Sequence, residues 1–156
     1  MLEVNIPGRE VWRLDVLLLD YNGTIACDGK LLPGVEHSIL KLSTTFAIYI
    51  VTADTFGSVA KMCADLPVHI HRLTSVDHTK EKADYLLQFD PKRVVAIGNG
   101  RNDAAMLQTA QLGIAVMGNE GCAVQTLLAA DLVVQSIHDA FSVLEHPNRL
   151  IASLRS

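Results

Sequence analysis

Six short apolar runs punctuate the chain, at residues 16–20, 46–51, 68–71, 94–97, 113–117 and 131–134. As a set they are continuous rather than alternating, apart from the VHIH of 68–71, and are bounded by turn formers, which predicts strands buried on both faces. Between them the spacing becomes helical. Val35, Ile39 and Leu42 recur at helical intervals after Pro33 and Gly34, and further helices are expected over about 57–64 and 81–89. Two more should begin near Asn102 and Glu120, and a last pair should follow Ser136 and Pro147. Strand and helix alternate along the chain, which predicts an α/β fold with a mainly parallel central sheet between two helical layers. No repeat, linker or low-complexity stretch divides the sequence, so residues 1–156 read as one domain.

Composition narrows the classes of function. Apolar residues make up 49% of the chain and charged residues 19%, which fits a folded globule. A chain of this length buries roughly two thirds of its unfolded surface. The net charge of -4 lacks the basic footprint on which nucleic-acid binding depends. Glu3, Arg9 and Glu10 interrupt the start, which does not resemble a secretory signal, and VLLL and FAIYIV are too short to span a bilayer. Cys27, Cys63 and Cys122 are few, odd in number and widely spaced, so they read as buried thiols of a cytoplasmic protein. His69 and His71 would share one face of a strand, but no third ligand at suitable spacing joins them, and they read as ordinary surface or core residues.

The chemistry should lie beyond the carboxyl ends of the strands, where parallel α/β sheets bind their ligands. The first strand ends VLLLDYNGT, so Asp20 emerges from a buried run beside Asn22, Gly23 and Thr24, where backbone amides can approach an anion closely. An aspartate before an Asn-Gly turn also has a purely conformational reading, so its companions must decide. After the second strand, VTADTFG puts Thr52 in the equivalent place, where its hydroxyl and the Ala53 amide could hold a phosphate oxygen. After the fourth, VVAIGNGRNDAAML gathers Asn99, Asn102 and Asp103 on a glycine-rich turn, an oxygen-rich set suited to Mg²⁺. Helix capping would account for one of these three but not for all. In HTKEKADYLL, Lys80 and Lys82 stand at a helix start, where a cation is slightly unfavourable unless it faces an anion. Tyr21 is expected to flank the site entrance.

In this order, DYNGT, VTAD, a helix-leading lysine and GNGRND resemble the four motifs of the haloacid dehalogenase superfamily of phosphoryl-transfer enzymes. The DxxGT start and GxGxND fourth motif are more closely similar to soluble relatives of the P-type ATPase phosphorylation domain. The resemblance runs from Val16 to the terminal RLIASLR. It implies a Rossmann-like, three-layer fold and a Mg²⁺-dependent phosphohydrolase working through an aspartyl-phosphate at Asp20. It further implies a metal site from Asp20 and the Asn22 backbone carbonyl, completed directly or through water by Asn99 and Asp103. Thr52 would hold the phosphate, beside Asn22, Gly23, Thr24 and Ala53, and a lysine would neutralise its charge. Lys82 puts Leu86 and Phe89 on the inward helix face, whereas Lys80 has the spacing to Asp103 that resembles the transporting ATPases.

Two residues depart from the superfamily pattern. Phosphatases of the superfamily usually carry an aspartate two residues after the nucleophile as acid and base; Asn22 cannot exchange a proton at neutral pH, and such help is worth about 10² to 10⁴ in rate, so hydrolysis should be slow. Asn99 replaces an aspartate that binds metal, which should weaken the cation unless Asp103 ligates directly. Both asparagines precede glycine, a context that favours deamidation. Only 27 residues lie between Thr24 and Thr52, too few for a nucleotide-binding domain, so a capless enzyme with an open site is expected. Its substrate would be a phosphorylated small molecule or an exposed phosphate of a larger partner, with a homo-oligomer as one way to cover the site. The alternative is a catalytically weak, phosphate-responsive regulatory module.

Overall fold

The computed structural model describes residues 1–54 and 57–156; Thr55 and Phe56 of the VTADTFG segment lie outside them. In chain order the elements are β1 (Leu2–Val4), β2 (Trp12–Leu14), β3 (Val16–Asp20), β4 (Ala26–Cys27), β5 (Lys30–Leu31), α1 (Val35–Leu42), β6 (Ala47–Thr52) and α2 (Ser58–Met62). They continue with β7 (Val68–Arg72), α3 (His78–Leu86), β8 (Val94–Gly98), α4 (Ala104–Thr109), β9 (Leu112–Val116), α5 (Val124–Ala129), β10 (Leu132–Val134), α6 (Ile137–Glu145) and α7 (Pro147–Leu154). All six expected strands are present and form one sheet in the order β10-β9-β8-β3-β6-β7, with every neighbouring pair parallel.

The period-two geometry of β3 builds the two sides of the core. Leu17 and Leu19 join a cluster with Val35 and Ile39 of α1, Phe141 of α6 and Leu150 of α7. Val16 and Leu18 face the other way, toward Leu86 of α3 and Met106 and Leu107 of α4. Strands β3, β8 and β9 are buried at every position, as continuous apolar runs predict. The expectation fails for β7 and β10, which are sheet edges and are only partly covered.

Several boundaries moved for identifiable reasons. Helix α3 starts at His78, not near residue 81, because the Asp77 side chain caps it by accepting from the Lys80 amide at 3.1 Å. Helix α5 starts at Val124 rather than near Glu120, because residues 118–121 close a turn through Gly121 N donating to Gly118 O at 2.9 Å. Two small antiparallel ladders were not expected: β1 with β2, and β4 with β5. The second turns at Asp28 and Gly29, both left-handed with φ of 51° and 82°, a conformation suited to a two-residue hairpin. This hairpin and α1 make up the connection from β3 to β6, with no domain-sized cap among the described residues. Of the three free thiols only Cys63 is buried; Cys27, at the end of the short β4 strand, and Cys122, at the margin of the core, are partly exposed.

No helix among the described residues is long and apolar enough to cross a membrane.

Candidate active site

From β3 the chain steps outward to β6 and β7, then crosses back to β8 on the other flank of β3 and continues to β9 and β10. The reversal makes β3 the switch point of the sheet, and a crevice opens where the connections leave in opposite directions. Asp20 closes β3, Thr52 closes β6 and Asn99 follows β8, so the three arrive at that crevice together. They line a cleft of about 570 Å³ with Asn22, Gly29, Ala53, Lys82 and Asn102.

Asp20 has the same parity in β3 as Val16 and Leu18 and therefore faces α3. From α3 comes Lys82, buried on the same face as Leu86, which stands one turn further along. Its Nζ donates to Asp20 Oδ1 at 2.7 Å, to Asp103 Oδ1 at 2.7 Å and to Asn102 Oδ1 at 3.2 Å. Lys80 points to solvent and pairs with Asp84 on its own helix. The helix geometry thus brings Lys82, not Lys80, to Asp20.

Asp103 is completely buried. Its Oδ2 accepts from the amides of Asn99 at 3.0 Å and Gly100 at 2.9 Å, while Oδ1 takes the Lys82 ammonium. Both oxygens are thus engaged in holding the turn and the lysine. Asn102 was expected on this turn as part of its oxygen-rich set, but only the path of the turn reveals its approach to Lys82.

Two carboxylates and one ammonium share this space. Burial, then the nearby Asp103, pushes the Asp20 carboxyl up from 3.8 to about 6, against the opposing pull of Lys82 and Thr24. Burial alone would lower the Lys82 ammonium, but Asp20 and Asp103 outweigh it and hold it above its ordinary value. Because the folded-state value of Asp20 lies above the unfolded one, its contribution to stability grows as pH falls through about 6 and is lost as pH rises. Asp20→Asn should accordingly stabilise the metal-free protein near neutral pH, by on the order of 2 kcal/mol, leaving Lys82 matched with Asp103 alone. Denaturant titration checks this, and the gain should shrink toward about pH 5, where Asp20 is itself protonated.

On the other side of Asp20, Thr24 Oγ1 lies 3.0 Å from Asp20 Oδ2 and 3.3 Å from Asn99 Oδ1. One hydroxyl carries one proton, so these two acceptors outnumber their donor. The Asn99 nitrogen is turned to Gly121 O at 3.1 Å, which leaves its oxygen as the atom presented to Asp20. A corner with more oxygen acceptors than donors suits a hard divalent cation, and Asp20 and Asn99 are the side chains that would hold it. Gly23 makes room for this corner: at φ 85°, any Cβ there would lie 2.4 Å from Asn99 Nδ2.

One expectation about the first loop changes. Tyr21 does not flank the entrance; it is buried, and its hydroxyl donates to Gly29 O at 2.8 Å. Burial pushes that phenol up to about 12. Asn22 is exposed, and its Oδ1 accepts from the Gly29 amide at 2.8 Å, so both side chains tie the β4–β5 hairpin to the loop after β3. Thr52 is buried at the cleft floor, where its Oγ1 accepts from the Asp54 amide at 3.3 Å, and Ala53 stands beside it. His69 stacks on Tyr49 and His71 on Tyr85, away from this cluster.

A family model for haloacid dehalogenase-like hydrolases matches residues 69–145. An uncharacterized protein of Methanocaldococcus jannaschii is 48% identical over 64 residues, covering 41% of this chain and 69% of that relative. The phospholipid-transporting ATPase NEO1 of Saccharomyces cerevisiae is 37% identical over 87 residues, which are 53% of this chain but 7% of the transporter. Among solved structures, a 3-deoxy-D-manno-octulosonate 8-phosphate phosphatase from Moraxella catarrhalis, in complex with magnesium and phosphate, superposes with a TM-score of 0.67. It is 16% identical and is covered over 94% of its length by 91% of this chain, a likeness of fold. The family match and the shared fold place the chain among the haloacid dehalogenase-like hydrolases.

Proposed function

We propose that the protein is a Mg²⁺-dependent phosphohydrolase that transfers a phosphoryl group to Asp20 and then releases it to water. The observation that carries this reading is the Asp20–Lys82–Asp103 cluster at the switch point of the sheet, with Lys82 2.7 Å from each carboxylate. Asp20 attacks phosphorus through its carboxylate, and the bond to the leaving oxygen breaks. Lys82 is placed to offset charge on the transferring oxygens, and the Thr52 hydroxyl with the Ala53 amide to hold one of them. Asp103 keeps Lys82 and the Asn99 turn in register. A bound Mg²⁺ would supply electrostatic neutralisation of the phosphoryl group beside Asp20 and Asn99.

Asn22 offers no proton to the leaving group, so the reading favours substrates with good leaving groups, such as acyl phosphates. Acetyl phosphate hydrolysis by wild type and Asp20→Asn, with Mg²⁺ and with chelator, tests it. Loss of the magnesium-dependent rate in Asp20→Asn is expected; an undiminished rate would overturn the assignment. The engagement of Asn22 with the Gly29 amide supports a second reading, a module that keeps its phosphate to alter a partner surface. That role predicts a poorly active parent whose turnover rises in Asn22→Asp.

A further inference from the structure

Asn99 removes a negative charge from the proposed cation site, yet a different carboxylate lies next to it. The turn at residues 118–121 is fastened to Asn99 by Asn99 Nδ2 donating to Gly121 O at 3.1 Å, and the chain just after it by Ala123 N donating to Asn99 O at 2.8 Å. Glu120 sits on that turn and folds its carboxylate over Gly23. A point one Cβ bond length above Gly23 is 2.4 Å from Glu120 Oε2, 2.4 Å from Asn99 Nδ2 and 2.8 Å from Asn99 Oδ1. The acid and the amide therefore occupy the same small space, open only because residue 23 is glycine. Among the described residues, no ion pair engages Glu120.

We infer that Glu120 supplies the charge that Asn99 lacks, as an outer carboxylate of the divalent-cation site formed by Asp20 and Asn99. The inference rests on the hydrolase reading above. The division of labour follows from the amide: its oxygen faces Asp20 and Thr24, and its nitrogen ties down the turn that delivers Glu120. A carboxylate at position 99 could offer the oxygen but could not donate to Gly121 O. Glu120 is exposed and close to the site without a place in its hydrogen-bond network, so it acts on the cation through space and through water.

The test is cation affinity, independent of turnover. Wild type, Glu120→Gln and Glu120→Lys are titrated with Mg²⁺ by calorimetry and with Mn²⁺ by electron paramagnetic resonance, and melting is followed in chelator. The expected result is about a tenfold loss of affinity in Glu120→Gln, a larger loss in Glu120→Lys and no change in metal-free melting. Affinity in Glu120→Gln within about twofold of wild type would overturn this inference alone, because outer-sphere partners ordinarily matter more than that. No cation binding by wild type would overturn the hydrolase reading and this inference together. An affinity loss that tracks a fall in metal-free melting would assign Glu120 a structural role and also overturn it.

Discussion

Replacing Lys82 with methionine should lower folding stability near neutral pH by about 3–5 kcal/mol, the usual consequence of removing one partner from a buried charge pair. The variant retains most of the side-chain volume, so the loss is electrostatic. Asp20 and Asp103 would then face each other across space that Lys82 now fills at 2.7 Å from both. Two like charges so placed cannot both stay ionised without large cost, and one of them should take up a proton. Its folded-state value then rises further above the unfolded one. The destabilisation should therefore be greatest above neutrality and shrink as pH falls toward about 5. Denaturant titrations of both proteins across this range check the sign as well as the size. Phosphoryl transfer should fall by about 10²–10³, as when one preorganised electrostatic group is removed. The contrast with Asp20→Asn, expected to stabilise, is diagnostic: removing an acid from the cluster leaves a matched pair, whereas removing the lysine leaves two acids.

The second large effect is expected from Gly98→Ala. A Cβ at Gly98 would lie 2.5 Å from Asp103 Cγ, 2.6 Å from its Oδ2 and 2.7 Å from its Cβ. Asp103 cannot swing aside cheaply, because it is buried and held by Lys82 and by the amides of Asn99 and Gly100. Overpacking and broken hydrogen bonds together should destabilise by about 3 kcal/mol, and the displaced lysine should carry activity down with it. Gly100→Ala provides the control within the same motif. Its Cβ would approach no closer than 3.3 Å, to Asn102 Oδ1, so its cost should stay under about 1 kcal/mol. Thermal melts of the two variants separate a crowded glycine from one with room.

How much of this was legible in the sequence follows from where each signal resides. The central strands announced themselves because burial on both faces demands continuous apolar runs, as in Val16–Asp20 and Val94–Gly98. The carboxyl ends of the strands marked Asp20, Thr52 and Asn99 for inspection, but that β3 is the switch point where they meet required the strand order. Helix periodicity pointed to Lys82 and spacing to Asp103 pointed to Lys80, so the sequence left the lysine open; Leu86, one turn after Lys82, is fully buried, and Phe89 packs against the α3–α4 side. The N-terminal ladder and the β4–β5 hairpin were invisible because strands of two or three residues carry too little periodicity.

Roles set by tertiary hydrogen bonds were also hidden. Nothing local to Asp103 shows that both of its oxygens are engaged, and nothing local to Asn22 shows that it holds Gly29. Glu120 was read only as the start of a helix. Its place beside Asn99 depends on a turn secured by the bond from Asn99 Nδ2 to Gly121 O, across a separation of 22 residues. Sequence therefore marked the strand ends, while the division of tasks among them required the path of the loops.

The measurement that tests the central claim most directly is the intact mass of freshly prepared protein after incubation with acetyl phosphate and Mg²⁺, beside Asp20→Asn and a chelator control. Fresh protein matters because Asn22 and Asn99 both precede glycine. A phosphate adduct, or magnesium-dependent phosphate release, that vanishes in Asp20→Asn is the predicted result, and the ratio of adduct to release separates a slow hydrolase from a phosphate-holding module. An adduct or release that persists unchanged in Asp20→Asn would contradict the assignment of Asp20 as nucleophile.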